Sequence, residues 1–242
     1  MIMYKMYDEL ADWWPLISPL ENYIDEVEFI KGILKDVGLP PAPSLFELGS
    51  AGGSHAYYLK QFFAAVLLSD LAPQILDISR NLNPDCEHLE GDMRTMRLGR
   101  VFDVVLVHNA VNYMTTLDEL RQAMETAFVH CRDGGVTLFM PDHIRDTFEP
   151  STDNGGMDGE QRAVRYLEWK YDPDITDSTI TVEYVYVLRE EGKTIRVEHE
   201  THIVGLFAEA EWLHLLQETG FQAEIIRGEY ERDIFVARKP IT

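Results

Sequence analysis

ELGSAGGSHA, residues 47–56, joins a short apolar run, SLFEL, to a helical pattern beginning YYLKQFF. An acid closes the run, glycines fill the turn, and the helix follows at once. Such a turn brings backbone N–H groups and a helix start up to a ligand, because glycine permits close approach and positive φ. What the turn holds depends on the elements around it.

Downstream, AAVLLSD reads as a second buried strand ending at Asp70, and Pro73 opens a helix that stops at NLNP. A weak strand over 87–89 leads into EGDMR, and FDVVLVHNAVNYM carries the clearest buried strand, 104–107. Thr116 and Glu119 form a capping-box pair, and Leu117, Leu120, Met124, Ala127 and Cys131 follow at helical spacing to Gly134. VTLFMPD is a fifth strand. Upstream, Ser18, Pro19 and Glu21 stand in capping-box order before a helix stopped by Gly38 and Pro40. Strands alternating with helices in this way predict an α/β, Rossmann-like, doubly wound sheet.

The pattern changes after Asp142. RDTFEPSTDNGGMDGEQ is polar and predicts a surface loop. In TITVEYVYVL, Ile180, Val182, Tyr184, Tyr186 and Leu188 share one face at period two, and EEGK turns the chain into the next strand. An inserted antiparallel β-sheet is therefore expected. A last helix and strand pair complete a seven-stranded main sheet. The predicted division is an amino-terminal helical lid over 1–40, a cofactor-binding core over 41–145 and 206–242, and the insertion over 146–205, serving substrate or dimerisation.

The 242 residues carry 21 Lys and Arg against 42 Asp and Glu, a formal charge of −21 that repels nucleic acid and anionic membranes. The two cysteines, Cys86 and Cys131, have no metal-type spacing, so no metal site is expected. No apolar run is long enough for a membrane span, and no signal-like segment opens the chain, so a cytoplasmic protein is expected.

Dinucleotide binding needs Gly-x-Gly-x-x-Gly; counted from Gly49, Ala51 and Ser54 replace the second and third glycines. An NAD-dependent oxidoreductase is thereby demoted to an alternative, beside a non-catalytic cofactor-binding or interaction module. The turn instead resembles the first motif of the class I S-adenosylmethionine-dependent methyltransferases, an acid followed by spaced glycines, here Glu47, Gly49, Ala51 and Gly53. Asp70 stands where that family bridges the ribose hydroxyls, although it also suits a helix cap. Gly91, Asp92 and Met93 match the adenine segment, and FDVVLVHNAVNYM the strand beside the sulfonium. YDELADWW is similar to the amino-terminal element of small-molecule members, and the insertion resembles that of deoxysugar N-methyltransferases.

The resemblance implies S-adenosyl-L-methionine as cofactor, S-adenosyl-L-homocysteine as product, and methyl transfer to a small-molecule acceptor, nitrogen favoured over oxygen. It implies cofactor contacts from Tyr7, Trp14, Glu47, Gly49, Ser50, Ala51, Gly53, Asp70, Leu71, Asp92, Met93, His108, Asn109 and Tyr113. His108 and His143 are the candidate bases; His108 suits a backbone-bonded core histidine equally well. No flanking acid is expected to orient His108, Ala51 is expected at negative φ, and His88, His130, His199, His202 and His214 read as structural. A homodimer through the inserted sheet is a further expectation.

Overall fold

In the computed structural model, residues 4–227 and 232–241 are described. The amino-terminal segment contains α1 (Trp14–Ile17) and α2 (Ile24–Val37). Then come β1 (Ser44–Leu48), α3 (Ser54–Leu59), β2 (Ala65–Asp70), α4 (Pro73–Leu82), β3 (Glu87–Glu90), β4 (Phe102–Val107), α5 (Leu117–His130) and β5 (Cys131–Phe139). The sheet runs β3-β2-β1-β4-β5, all parallel. It is completed at the β5 edge by β11 (Asp233–Arg238) and β10 (Gln222–Arg227), joined antiparallel after α6 (Glu209–Thr219). The strand order reverses between β1 and β4, which opens a crevice at their carboxyl ends.

Side-chain alternation explains the two cores. Phe46 and Leu48 of β1, with Val105 and Val107 of β4, face α5 and α6 through Leu120, Met124, Trp212 and Leu216. Leu45, Val104 and Leu106 face the opposite way, onto Val27, Ile30 and Leu34 of α2 and Leu59 of α3. Each such buried aliphatic side chain contributes ~1.5–3 kcal/mol of transfer free energy. Glu47 shares parity with Leu45, so this acid points from β1 toward α2 and α3.

A separate antiparallel sheet holds β6 (Ser151–Gly155), β7 (Arg162–Tyr171), β8 (Thr179–Glu190) and β9 (Arg196–Gly205), in that order. The inner face of β8 divides its contacts. Ile180 and Val182 pack with Val204 and Leu206, whereas Tyr186 and Leu188 pack with Met6, Leu10, Trp13 and Ile17 of the amino-terminal segment. On the outer face, Leu167, Trp169, Val187, Val197 and Ile203 remain exposed.

Two local expectations are corrected. Part of the loop expected before β7 forms β6, an edge strand whose residues are almost all exposed, so burial imposed no apolar alternation on its sequence. Ser18 does not cap α2: a 3-10 turn, Leu20–Tyr23, intervenes, and the Ser18 hydroxyl bonds the Tyr23 hydroxyl at 2.6 Å. The Thr116 cap does form, accepting from the Glu119 N–H at 3.2 Å, while the Glu119 carboxylate turns to the Thr115 N–H. No described helix is long and apolar enough to cross a membrane.

Candidate active site

At the crevice lies a cavity of about 760 Å³, floored by the carboxyl ends of β1, β2 and β4 and walled by the amino-terminal segment and the inner face of the second sheet. Tyr7, Trp14, Glu47, Gly49, Ser50, Ala51, Asp70, Leu71, Asp92, Met93, His108, Asn109, Tyr113 and His143 all line it. Of the residues expected here, Gly53 alone does not. It has φ +75°, its carbonyl accepts from Asn83 Nδ2 at 2.9 Å, and a Cβ would collide with Ser79 and Asn83 of the α4 segment. Gly53 is therefore a packing glycine behind the turn.

The turn also departs from expectation at Ala51, which sits at φ +44°. Positive φ is costly for a residue with a Cβ; here the Ala51 N–H donates to Asp70 Oδ2 at 2.8 Å and holds the conformation. Gly52 has no positive φ. A Cβ there would stand 2.5 Å from the Trp14 indole, so its glycine makes room for the amino-terminal segment. At Gly49, φ +73°, a Cβ would strike Ala110 and Met93. The three glycines thus meet three different demands.

Asp70 accepts a second N–H, from Ala72 at 3.0 Å, with its other oxygen. Burial raises its pKa and these backbone donors oppose the rise. Each oxygen keeps a lone pair for a ligand hydroxyl. Asp92 is shared with Arg94, whose Nη2 lies 2.7 Å away and which also pairs with Glu119. Burial pushes the Asp92 carboxyl up, but the Arg94 bonds outweigh it and the net shift is downward.

Trp14 Nε1, Glu47 Oε2, Ser50 Oγ and Asn109 Oδ1 are buried without a hydrogen-bond partner among the described residues. All four belong to residues lining the cavity. Buried polar atoms are rarely left unsatisfied, and these mix donors with acceptors. They fit a zwitterionic ligand with an amino-acid portion and a polar ring system, which S-adenosylmethionine has.

The methyltransferase-domain family matches residues 45–135, the core from β1 into β5. The chain is 30% identical over 193 residues, 78% of its length and 76% of the relative's, to a dTDP-4-amino-2,3,4,6-tetradeoxy-D-glucose N,N-dimethyltransferase of Saccharopolyspora spinosa. The chain belongs to the S-adenosylmethionine-dependent methyltransferases. It is also 28% identical over 213 residues, covering 86% of this chain and 87% of the relative, to a dTDP-3-amino-3,4,6-trideoxy-alpha-D-glucopyranose N,N-dimethyltransferase of Streptomyces venezuelae. The crystal structure of DesVI from Streptomyces venezuelae superposes with a TM-score of 0.83 at 26% identity, covering 95% of this chain and 98% of that one. S-adenosylmethionine is the cofactor of this methyltransferase, and methyl transfer its reaction.

One wall of the methyltransferase's cavity is a buried charge network. His55 Nε2 lies 2.8 Å from Glu26 Oε2 and its Nδ1 3.6 Å from Glu47 Oε1. His108 Nε2 lies 3.0 Å from Glu26 Oε1, and Arg232 Nη1 contacts both Glu26 and His108 at 2.5 Å while Nη2 reaches Asp142 at 2.6 Å. An acid therefore does orient His108, contrary to expectation; it comes from α2, far away in sequence. Burial opposes charge on His55, but Glu26 and Glu47 outweigh it and raise the pKa to about 9. Burial lowers His108 to about 4, with the neighbouring His55 charge adding to the fall. One imidazole is thus charged and its neighbour, 4.1 Å away between ring centroids, neutral. Glu26, His55 and His108 offer ligand atoms within 4.8 Å of one another, a metal-like set, yet the Arg232 guanidinium already places a cation among them.

His143 Nε2 lies 3.3 Å from Lys170 Nζ, and burial, then that ammonium, lowers its pKa. Both expected bases are tied to cations. His202, read from sequence as structural, lines the cavity among Tyr4, Tyr7, Tyr113 and Tyr184. Glu26, His55 and Arg232 also escaped the sequence reading. For His202 a signal existed: Glu200 two residues earlier shares its strand face.

The His55 shift makes stability depend on pH. Its folded pKa exceeds the ordinary 6.5, so its contribution is complete below pH 6.5 and is lost as pH rises through about 9. His55→Asn should lose stability on the order of 1–3 kcal/mol near neutral pH, and the gap to wild type should shrink toward pH ~10. Denaturant melts across that range check it; a gap independent of pH defeats the assignment.

Proposed function

We propose that the enzyme methylates an amino nitrogen of a nucleotide-linked amino-deoxysugar. The observation that carries the reading is the wall of hydroxyls facing the crevice: Tyr7, Tyr113 and Tyr184, whose phenols burial holds above their ordinary pKa and so keeps neutral. Neutral phenol oxygens accept N–H bonds from an amine. Methylation of an alcohol leans on a base instead, and His108 and His143 are both occupied. The relatives of similar length, by name, act on dTDP-linked amino sugars, which supports the acceptor class.

When bound, the cofactor supplies an activated methyl on a sulfonium. The protein's task is alignment and exclusion of water, which together remove ~7–11 kcal/mol of barrier. In this reading the turn over 49–52 and Asn109 hold the amino-acid portion, Asp70 and Leu71 the ribose, Asp92 and Met93 the adenine, and Tyr7 and Trp14 close the amino-terminal lid. The insertion presents the acceptor on its inner face. We place the enzyme in a reducing cytoplasm: Cys86 and Cys131 are free, and burial pushes both thiols up to about 11, leaving them unreactive.

Three measurements test this. Incubation with S-adenosylmethionine and dTDP-3-amino- or dTDP-4-amino-deoxysugars, read by mass spectrometry, should give N-methylated product; methylation confined to hydroxyl-bearing acceptors overturns the amine reading. Asp70→Ala should weaken S-adenosylhomocysteine binding by ~1.5–3 kcal/mol in calorimetry, since ligand hydroxyls lose a charged acceptor. An unchanged Kd in a folded variant removes Asp70 from the ribose site. The exposed strip of Leu167, Trp169, Val187, Val197 and Ile203 is a patch of the kind that pairs with a second copy. Light scattering should therefore give a dimer, and Trp169→Glu a monomer; wild type monomeric at micromolar concentration refutes that interface.

A further inference from the structure

Four side chains form a continuous line from the cavity into the second sheet. The Tyr7 and Tyr113 hydroxyls are 2.9 Å apart, and the Tyr113 hydroxyl is 2.8 Å from His202 Nδ1. His202 Nε2 lies 3.2 Å from Glu200 Oε1, a charge contact without hydrogen-bond geometry, with His202 1% and Glu200 8% exposed. The polarity of this line is set at its end by charge. The Glu200 carboxylate beside Nε2 favours the tautomer with its hydrogen there, which leaves Nδ1 its lone pair, so that the Tyr113 hydroxyl donates to Nδ1. Tyr7 then donates to Tyr113, leaving the Tyr7 oxygen, which lines the cavity, with a lone pair toward its contents.

The surroundings suit a transient charge on His202. Tyr4 stacks on its ring at 3.8 Å between centroids, and Tyr184 meets it edge-on at 4.9 Å. Glu200 Oε2 accepts the Lys5 N–H at 2.7 Å and Oε1 the Met6 N–H at 3.2 Å, so the carboxylate is held in place by backbone. The Lys5 ammonium turns away to Glu198 at 2.7 Å. Of the ionisable groups packed around His202 among the described residues (Tyr4, Tyr7, Tyr113, Tyr184 and Glu200), none carries positive charge.

We propose that this line is a proton path, in which the proton shed by an amine acceptor is collected at Tyr7 and delivered through Tyr113 to His202. The inference rests on the amine reading above. An acceptor bound as an ammonium has no lone pair and cannot attack a methyl. In one concerted shift its N–H bond breaks and the electron pair stays on nitrogen, while the proton bonds to the Tyr7 oxygen. Tyr7 passes its own proton to Tyr113, and Tyr113 passes its proton to His202 Nδ1. No phenolate forms, as burial of both tyrosines requires. His202 becomes an imidazolium against Glu200, and after the product leaves the proton returns from Nδ1 through Tyr113 and Tyr7 to solvent in the cavity, which restores the starting tautomer. His202 acts through Tyr113 without touching the acceptor.

Two arms test the path. Histidine-selective ¹⁵N NMR of the full chain, without acceptor, should show His202 protonated at Nε2 and unprotonated at Nδ1. A His202 hydrogen found on Nδ1 reverses the line and overturns the proposal whatever the substrate. The second arm uses His202→Asn, whose side-chain carbonyl still accepts from Tyr113 but cannot hold a proton, with dTDP-3-amino- and dTDP-4-amino-deoxysugars as acceptors. S-adenosylhomocysteine affinity should match wild type, kcat should fall ~10²-fold, and the acid limb of kcat should move to higher pH, toward the ammonium's own titration. Restoration of kcat and its pH profile by asparagine shows a merely structural histidine and overturns the path. No turnover of any amine by wild type overturns the amine reading and the path with it, whereas wild-type turnover with an unmoved variant profile overturns the path alone.

Discussion

One carboxylate, Asp70, ties the end of β2 to the turn after β1. Its two oxygens take the N–H groups of Ala51 and Ala72, so a single side chain fixes a non-glycine residue at positive φ and the start of the α4 approach together. Backbone bonds from Gly49 and Ser50 to the Ser69 carbonyl brace the start of the turn, and the Asp70 carboxylate holds Ala51 itself. The strain and the acid belong to one arrangement. It sits where strand order reverses, the one place in a doubly wound sheet where two neighbouring loops part and leave room.

Much of this arrangement was legible in the residues. The alternation of buried strands and capped helices gave the sheet, because burial on both faces imposes apolar runs and helix ends need particular caps. The glycine-poor turn separated a methyl donor from a dinucleotide. The glycines themselves misled: spacing suggested that all serve the ligand, whereas Gly53 answers to Ser79 and Asn83, and Gly52 to Trp14. Nothing in a motif distinguishes a glycine needed by a ligand from one needed by a neighbouring side chain. β6 was missed because an exposed edge strand carries no apolar period.

The polar residues were the least legible, for a related reason. Glu26 lies 82 residues before His108, and Arg232 lies 124 after it. Their meeting follows from α2 covering β1 and β4 on the face that Glu47 shares, with the start of β11 arriving beside them. Ionisable groups brought together by packing leave no local period. The result is a pair of adjacent imidazoles in opposite charge states around one shared carboxylate, Glu26: His55 is held charged by Glu26 and Glu47, and His108 is held neutral by burial and by the His55 charge, so neither is a ready base.

The inserted sheet has a consequence for how such an enzyme diversifies. On β7, β8 and β9 the even-numbered residues, among them Tyr166, Lys170, Val182, Tyr184, His202 and Val204, line the cavity, while odd-numbered Leu167, Trp169, Val187 and Val197 face outward. Strand geometry keeps the two sets on opposite sides of one backbone layer. Mutational drift at one parity can therefore reshape which molecules enter while leaving the outer surface unaltered, and drift at the other, Ile203 apart, can alter that surface without touching the cavity. Within this layer, acceptor choice and surface character are separable heritable traits carried in alternate codons.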